Sequence, residues 1–160
     1  MIWGEVYYMK NVVKPNKKLS LQEIEEFEIQ YNITLPEKYK KFLLQSNGGK
    51  PEMNVFFISK DQGSSLVRGL FGLYIGGYKD LVQNIEIYDG RLPKGFLPIG
   101  DDPGGNLLCV GTDEKYYDNI YFWDHEEEVT ERDYSKNGLI NMYFLAKDIY
   151  DFLDKLHDEV

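Results

Sequence analysis

Apolar residues at Ile24, Phe27 and Tyr31 recur at steps of three and four, and Tyr39, Phe42 and Leu43 repeat the pattern a short way on. Steps of that size place side chains on one face of an α-helix, so two short amphipathic helices are predicted. Ser20-Leu21-Gln22-Glu23 is a capping box that starts the first: the Ser hydroxyl accepts from the Glu23 N–H while the Glu23 carboxylate reaches back to the Ser20 N–H. Glu25, Glu26 and Glu28 then fall on the solvent side, and Lys38, Lys40 and Lys41 oppose the second stripe. Pro36 suits a first helical turn, where its missing N–H costs nothing. Asn47-Gly48-Gly49 supplies residues that enter the left-handed conformation and end a helix. With Thr34-Leu35 as a tight link, the segment reads as a helical hairpin.

Beyond the hairpin the period changes. Met53 to Ser59, Leu92 to Gly100, Asn106 to Val110 and Asn119 to Trp123 are short runs rich in Val, Ile, Phe, Tyr and Leu, bounded by Gly, Pro and Asp. Such runs predict antiparallel strands joined by turns. Met1 to Tyr8 reads as a further short strand, followed by a basic, Pro-containing loop over Lys10 to Lys18. Gly69 to Tyr78 carries four glycines among large apolar residues without a G-x-G-x-x-G or G-K-[ST] spacing, which predicts a bulged or sharply turned segment, not a phosphate loop. Asp80 to Tyr88 predicts a third helix. Leu145, Ile149, Phe152, Leu153 and Leu156 share one helical face at the C-terminal end, opposite Asp148, Asp151, Asp154, Lys155 and Asp158. Helices first, strands in the middle and a helix last give an α+β fold: one domain spanning residues 1–160, with a mainly antiparallel β-sheet packed against an N-terminal helical hairpin and a C-terminal helix.

Composition narrows the function classes. The 160 residues fit one domain, and one cysteine rules out a disulfide within the chain. An isoelectric point near 4.7 argues against a general polyphosphate binder, because nucleic-acid affinity rests on Lys and Arg neutralising phosphates. No apolar run is long enough to cross a membrane. Met1 to Lys10 lacks a basic start and an apolar stretch with a cleavage site, so the cytoplasm is the expected location.

Candidate chemistry is sparse. Cys109 lies in the apolar strand pattern Leu107-Leu108-Cys109-Val110 and reads as a buried structural thiol. His125, in Trp123-Asp124-His125-Glu126, has Asp124 beside it but no nucleophile to serve, so a hydrolase built on it ranks last. Three Cys and His residues in all are too few for a structural zinc site. Asp101-Asp102-Pro103-Gly104-Gly105-Asn106 clusters oxygen ligands but lacks the EF-hand spacing, and these are the residues that a tight turn requires. No metal, cofactor or enzymatic activity is assigned.

Charge is unevenly spread. Residues 1–50 hold eight Lys against six Glu, whereas residues 51–160 hold ten basic and 21 acidic side chains. Asp101 to Asp133 alone carries eleven acids against Lys115 and Arg132, equal to the excess of the whole chain. Concentrated charge speeds association with a basic partner. Tyr116, Tyr117, Tyr121 and Trp123 beside those acids are candidate anchors, although strand alternation sends some of them into the core.

Several motifs in order resemble one family. Ile24-x-x-Phe27-Glu28, Leu35-Pro36-x-x-Tyr39-x-x-Phe42-Leu43 and Asn47-Gly48-Gly49 are similar to the N-terminal signature of the SUKH superfamily, named for the fungal Smi/Knr cell-wall-assembly regulator. Leu97-Pro98-Ile99-Gly100-Asp101-Asp102, Gly104-Gly105-Asn106, Ile120-Tyr121-Phe122-Trp123-Asp124-His125, Leu145-Ala146 and Phe152-Leu153 follow in the family's order, so the resemblance covers about residues 20–156. It implies a non-catalytic domain of the bacterial immunity-protein type, which neutralises a toxin, often a nuclease, encoded nearby. A regulatory or scaffold module without a toxin is the alternative. On this reading the partner is a basic toxin domain, and the contact residues are Asp101, Asp102, Asn106, Trp123, Asp124, His125, Glu126, Glu127 and Glu128.

Overall fold

The computed structural model describes residues 11–127 and 138–158; the strand expected over Met1 to Tyr8, and Glu128, lie outside them. The described elements run β1 (Val13–Lys14), α1 (Leu21–Tyr31), α2 (Glu37–Ser46), β2 (Lys50–Pro51), β3 (Val55–Ser59), β4 (Gly63–Leu66), β5 (Gly69–Leu70), α3 (Leu81–Ile87), β6 (Phe96–Asp101), β7 (Leu107–Gly111), β8 (Ile120–Trp123), β9 (Met142–Ala146) and α4 (Ile149–Lys155). Strands β5-β6-β7-β8-β9 form an antiparallel five-stranded sheet, while β1–β2 and β3–β4 are separate antiparallel pairs. Gly49 and Leu70 exchange backbone hydrogen bonds of 3.0 and 2.8 Å, which ties the start of β2 to the sheet edge at β5. The fold is α+β, as the pattern of elements predicts.

The capping box forms as read, with Glu23 N donating to Ser20 Oγ at 3.1 Å and Ser20 N donating to Glu23 Oε1 at 3.0 Å. Asn32 and Asn47 end α1 and α2 in the left-handed conformation, with φ of 51° at each. Ile24 and Phe27 are buried, as are Tyr39, Phe42 and Leu43. Two charged positions behave differently from the helical pattern. Glu28 does not simply face solvent: it accepts from Leu35 N at 2.8 Å and pairs with Lys40 at 2.8 Å, which fastens the α1–α2 link. Lys41 is buried instead of solvated.

Other departures have similar tertiary causes. The loop expected over Lys10 to Lys18 contains β1, because Val13 and Lys14 find partners in β2. Leu145 belongs to β9, not to the last helix; Asp148 caps α4 by accepting from Asp151 N at 2.9 Å, so the helix begins after it. The Gly69–Tyr78 segment is sharply turned, with Tyr74, Gly76 and Gly77 at positive φ.

One sheet face carries Phe122, which meets Phe56 at 5.9 Å between ring centroids; Phe56 in turn meets Phe152 of α4 at 5.7 Å. Helix α2 packs beside α4 through an edge-to-face contact between Phe42 and Tyr150. Pro36 offers no side chain to cap α2, and the β7–β8 connection supplies the cap from far along the chain. Lys38 N and Tyr39 N donate to the two oxygens of Asp118 at 3.1 and 3.2 Å, and Glu37 N donates to Tyr117 Oη at 2.9 Å. Burial holds the Asp118 carboxyl above its usual range, against the two backbone N–H groups that favour its charge. Because Asp118 fills the role of an N-cap, Asp118→Ala is expected to lower stability by about 1–2 kcal/mol in urea unfolding. Asp118→Asn, which keeps one acceptor, is expected to lose less.

Candidate functional site

The β6–β7 turn is built around Asp102. Its Oδ1 accepts from Gly104 N at 3.0 Å and Asn106 N at 2.8 Å, while Oδ2 accepts from Ser65 Oγ at 2.7 Å and Asn106 Nδ2 at 3.1 Å. Asn106 Oδ1 accepts in turn from His125 N at 3.0 Å, and His125 Nε2 lies 2.7 Å from the Gly104 carbonyl. A carbonyl can only accept, so Nε2 carries the proton in this contact. Asp124, buried, accepts from Glu126 N at 3.0 Å and Gln62 Nε2 at 3.2 Å; it therefore anchors the turn instead of orienting the His125 ring. Asp101 accepts from Arg68 Nε and Nη2 at 3.0 and 2.6 Å, and its other oxygen is buried without a partner.

These bonds bring Asp101, Asp102, Asn106, Asp124 and His125 to one end of the sheet, but in structural roles. Glu126 and Glu127 are the described members of the set that remain exposed. Trp123 is fully buried, edge-on to Tyr88 at 5.7 Å and with the Arg91 guanidinium over its ring at 5.7 Å. It is a core residue and presents no surface anchor. Cys109 is buried as well, and burial pushes its thiol pKa far up.

The described acids of the stretch are contiguous in sequence but divided in space. Asp113, Glu114 and Asp118 sit in the β7–β8 connection, at the opposite end of the strands from Glu126 and Glu127. A five-residue strand separates the two ends by roughly 14–17 Å, which exceeds the screening length of about 8 Å at physiological salt. Asp118 is spent on α2, so among the described residues the exposed acids of the stretch form two small groups, Asp113 with Glu114 and Glu126 with Glu127.

Toward the β7–β8 end lies a row of rings in which Phe96 is buried, Tyr116 and Tyr121 are partly buried and Phe144 is exposed. Tyr121 meets Phe144 at 5.7 Å, Phe96 at 5.1 Å and Tyr116 at 5.7 Å, each edge-to-face. Phe144 keeps 50% of its surface exposed. Beside Phe96 opens a cleft of about 530 Å³ lined by Tyr31, Ile33, Ile85, Glu86 and Tyr88 among others. Tyr31 Oη donates to Glu86 Oε1 at 3.2 Å on its wall. Among the described residues, no group of three or more His, Cys, Asp or Glu is placed to hold a metal ion. No described helix is long and apolar enough to cross a membrane.

Residues 18–155 match the SMI1 / KNR4 family (SUKH-1). The chain belongs to this family. A curated relative, the SPbeta prophage-derived uncharacterized protein YokK of Bacillus subtilis (strain 168), is 26% identical over 155 residues, covering 86% of this chain and 74% of the relative. In this SUKH-1 domain the Asp101-Asp102 and Gly104-Gly105-Asn106 motifs make a turn and its clasp, and the Trp123-Asp124-His125 motif ends a strand and starts the clasped turn.

Sequence reasoning found Tyr116 and Tyr121 but missed Phe96, Phe144 and the cleft. The ring row draws on β6, β8, β9 and the β7–β8 connection, and its assembly depends on register: Tyr121 is paired directly with Phe144. A usable signal was present, since Tyr121 and Trp123 are two apart on one strand and must share a face. What separates them is cover. The segment after α3 lays Tyr88 and Arg91 over Trp123 and leaves Tyr121 and Phe144 open.

Proposed function

We propose that this SUKH-1 domain, a single unit over residues 1–160, is a cytoplasmic immunity protein that neutralises a basic toxin domain encoded nearby by direct, non-catalytic binding. The observation that carries the reading is the half-exposed Phe144 ring, packed on the partly buried Tyr121 and backed by the buried Phe96 beside the cleft. Aromatic side chains left open on a surface are the usual anchors of protein interfaces. Absence of catalysis is supported by the hydrogen bonds already counted: Asp102, Asp124, Asn106 and His125 are committed to holding a turn. The exposed Glu126-Glu127 turn, past the far end of β8, adds steering toward a positively charged partner. A prophage-derived relative accords with a gene carried on mobile DNA together with its toxin.

Co-expression with the polypeptide encoded beside this gene tests the proposal. Rescue of growth and co-purification are expected with the intact chain. Phe144→Ala is expected to weaken the complex by about 30-fold, the effect of removing one hot-spot ring worth about 2 kcal/mol. Its own stability should shift by less than about 1 kcal/mol, because half of the ring is already in water. Reversing Glu126 and Glu127 to Lys is expected to slow association chiefly at low salt. No rescue and no complex with the neighbouring polypeptide would reject the immunity reading in favour of a regulatory or scaffold module. A complex indifferent to Phe144→Ala and Tyr121→Ala would reject this face.

A further inference from the structure

In a chain of net charge −9, one pocket is lined by three lysines. Lys14 of β1 and Lys50 of β2 are direct cross-strand partners, and both side chains are exposed while their neighbours Val13 and Pro51 turn inward. Like charges directly opposed on one face of a β-pair destabilise it. Lys79 approaches the same pocket across β5. Its ammonium donates to the Arg68 carbonyl at 3.0 Å, which occupies one of three N–H groups.

A glycine leaves the room that the third cation occupies. A Cβ on Gly69 would stand 2.5 Å from Lys79 Nζ, so any other residue here would displace the ammonium from the strand. Burial lowers the Lys79 pKa, with Arg68 and Lys50 pushing the same way and Asp101 opposing. Asp101, however, is engaged by the Arg68 guanidinium. Among the described residues, three lysines and no acid line this pocket, although Glu52 lies beside Lys14 and Lys50 on the other side of the β1–β2 pair. The cavity between Lys14, Lys50, Lys79, Gly49 and Gly69 measures about 230 Å³, enough for a phosphoryl group with a small substituent.

We propose that the pocket formed where β1, β2 and β5 meet is a binding site for a phosphoryl oxyanion, held by the ammonium groups of Lys14, Lys50 and Lys79. A phosphoryl group offers several acceptor oxygens and two negative charges, which would satisfy the ammonium donors of the lysines that line the pocket and offset the repulsion between Lys14 and Lys50. The site lies on the β5 edge of the sheet, apart from the ring row that is anchored on β8 and β9, and it does not depend on the proposed toxin partner.

The test is thermal unfolding of the full chain titrated with pyrophosphate and with phenyl phosphate, against chloride at matched ionic strength. A saturable rise in the midpoint is expected for the natural sequence and for Lys60→Gln, which removes an exposed lysine elsewhere. Lys50→Gln and Lys79→Gln are expected to weaken the apparent affinity by about tenfold each, the loss of one charge-assisted contact. Lys50→Gln should also raise the anion-free midpoint slightly, because it removes a like-charge pair. Equal shifts in all four proteins, or no saturable shift in any, would overturn the site. Saturation by succinate as tight as by pyrophosphate would overturn the phosphoryl assignment.

Discussion

Trp123→Ala is expected to lower the free energy of unfolding by about 3–5 kcal/mol, the cost of deleting a large buried aromatic side chain. The ring has no exposed surface, stacks edge-on to Tyr88 and lies under the Arg91 guanidinium. A domain of this class has about 5–15 kcal/mol in total, so the variant should sit close to its unfolding threshold at 37 °C. Urea unfolding followed by far-ultraviolet circular dichroism measures the loss. The comparison with Phe144→Ala is the informative one. Both positions are aromatic and lie on adjacent strands of the same sheet, yet Trp123→Ala should reduce binding only through the folded fraction, whereas Phe144→Ala should reduce binding with the fold intact. A Trp123→Ala protein of near-normal stability that fails to bind would reinstate the tryptophan as a contact.

Gly48→Ala is expected to be the next most damaging change. Gly48 follows the left-handed Asn47 and itself has φ of +77°, a region that costs an L-residue about 1–2 kcal/mol. A Cβ there would also press on the Phe71 carbonyl oxygen, with the Leu70 oxygen and the Phe71 carbonyl carbon each 2.6 Å away. These are backbone atoms and cannot rotate aside. Relief requires β5 to move from the α2–β2 turn, which breaks the Gly49–Leu70 pair and the seat of Asn47, whose Oδ1 accepts from Leu73 N at 2.7 Å. A combined loss of roughly 3 kcal/mol or more follows from strain and displacement together. Amide exchange should report it locally, with protection at Leu70 and Leu73 lost before that at β7 and β8.

Much of this protein was legible before any coordinates. The capping box, the asparagine that ends α2, the third helix at Asp80, four of the strands and the order of the SUKH motifs all depend on residues within a few positions of one another. Helix starts, stops and amphipathic faces are set by backbone hydrogen bonds of short reach and by periods of 3.6 and 2, which a linear sequence displays directly. The burial of Cys109 followed from its apolar strand in the same way.

Tertiary structure alone decided which of the polar and aromatic residues are free to act. The eleven acids between Asp101 and Asp133 look like one charged face because charge is counted along the chain; among the described ones, antiparallel pairing sends Asp113 and Glu114 to one end and Glu126 and Glu127 to the other. Asp118 could not be recognised as the cap of α2, since the two are about 80 residues apart. Trp123 and Tyr121 share a strand face, and only the packing of Tyr88 and Arg91 decides that one is core and the other surface. Lys14, Lys50 and Lys79 likewise meet only because β1, β2 and β5 do. Local periodicity dictates what a segment can form, but exposure is a property of what packs on top of it, and here that cover comes from distant parts of the chain.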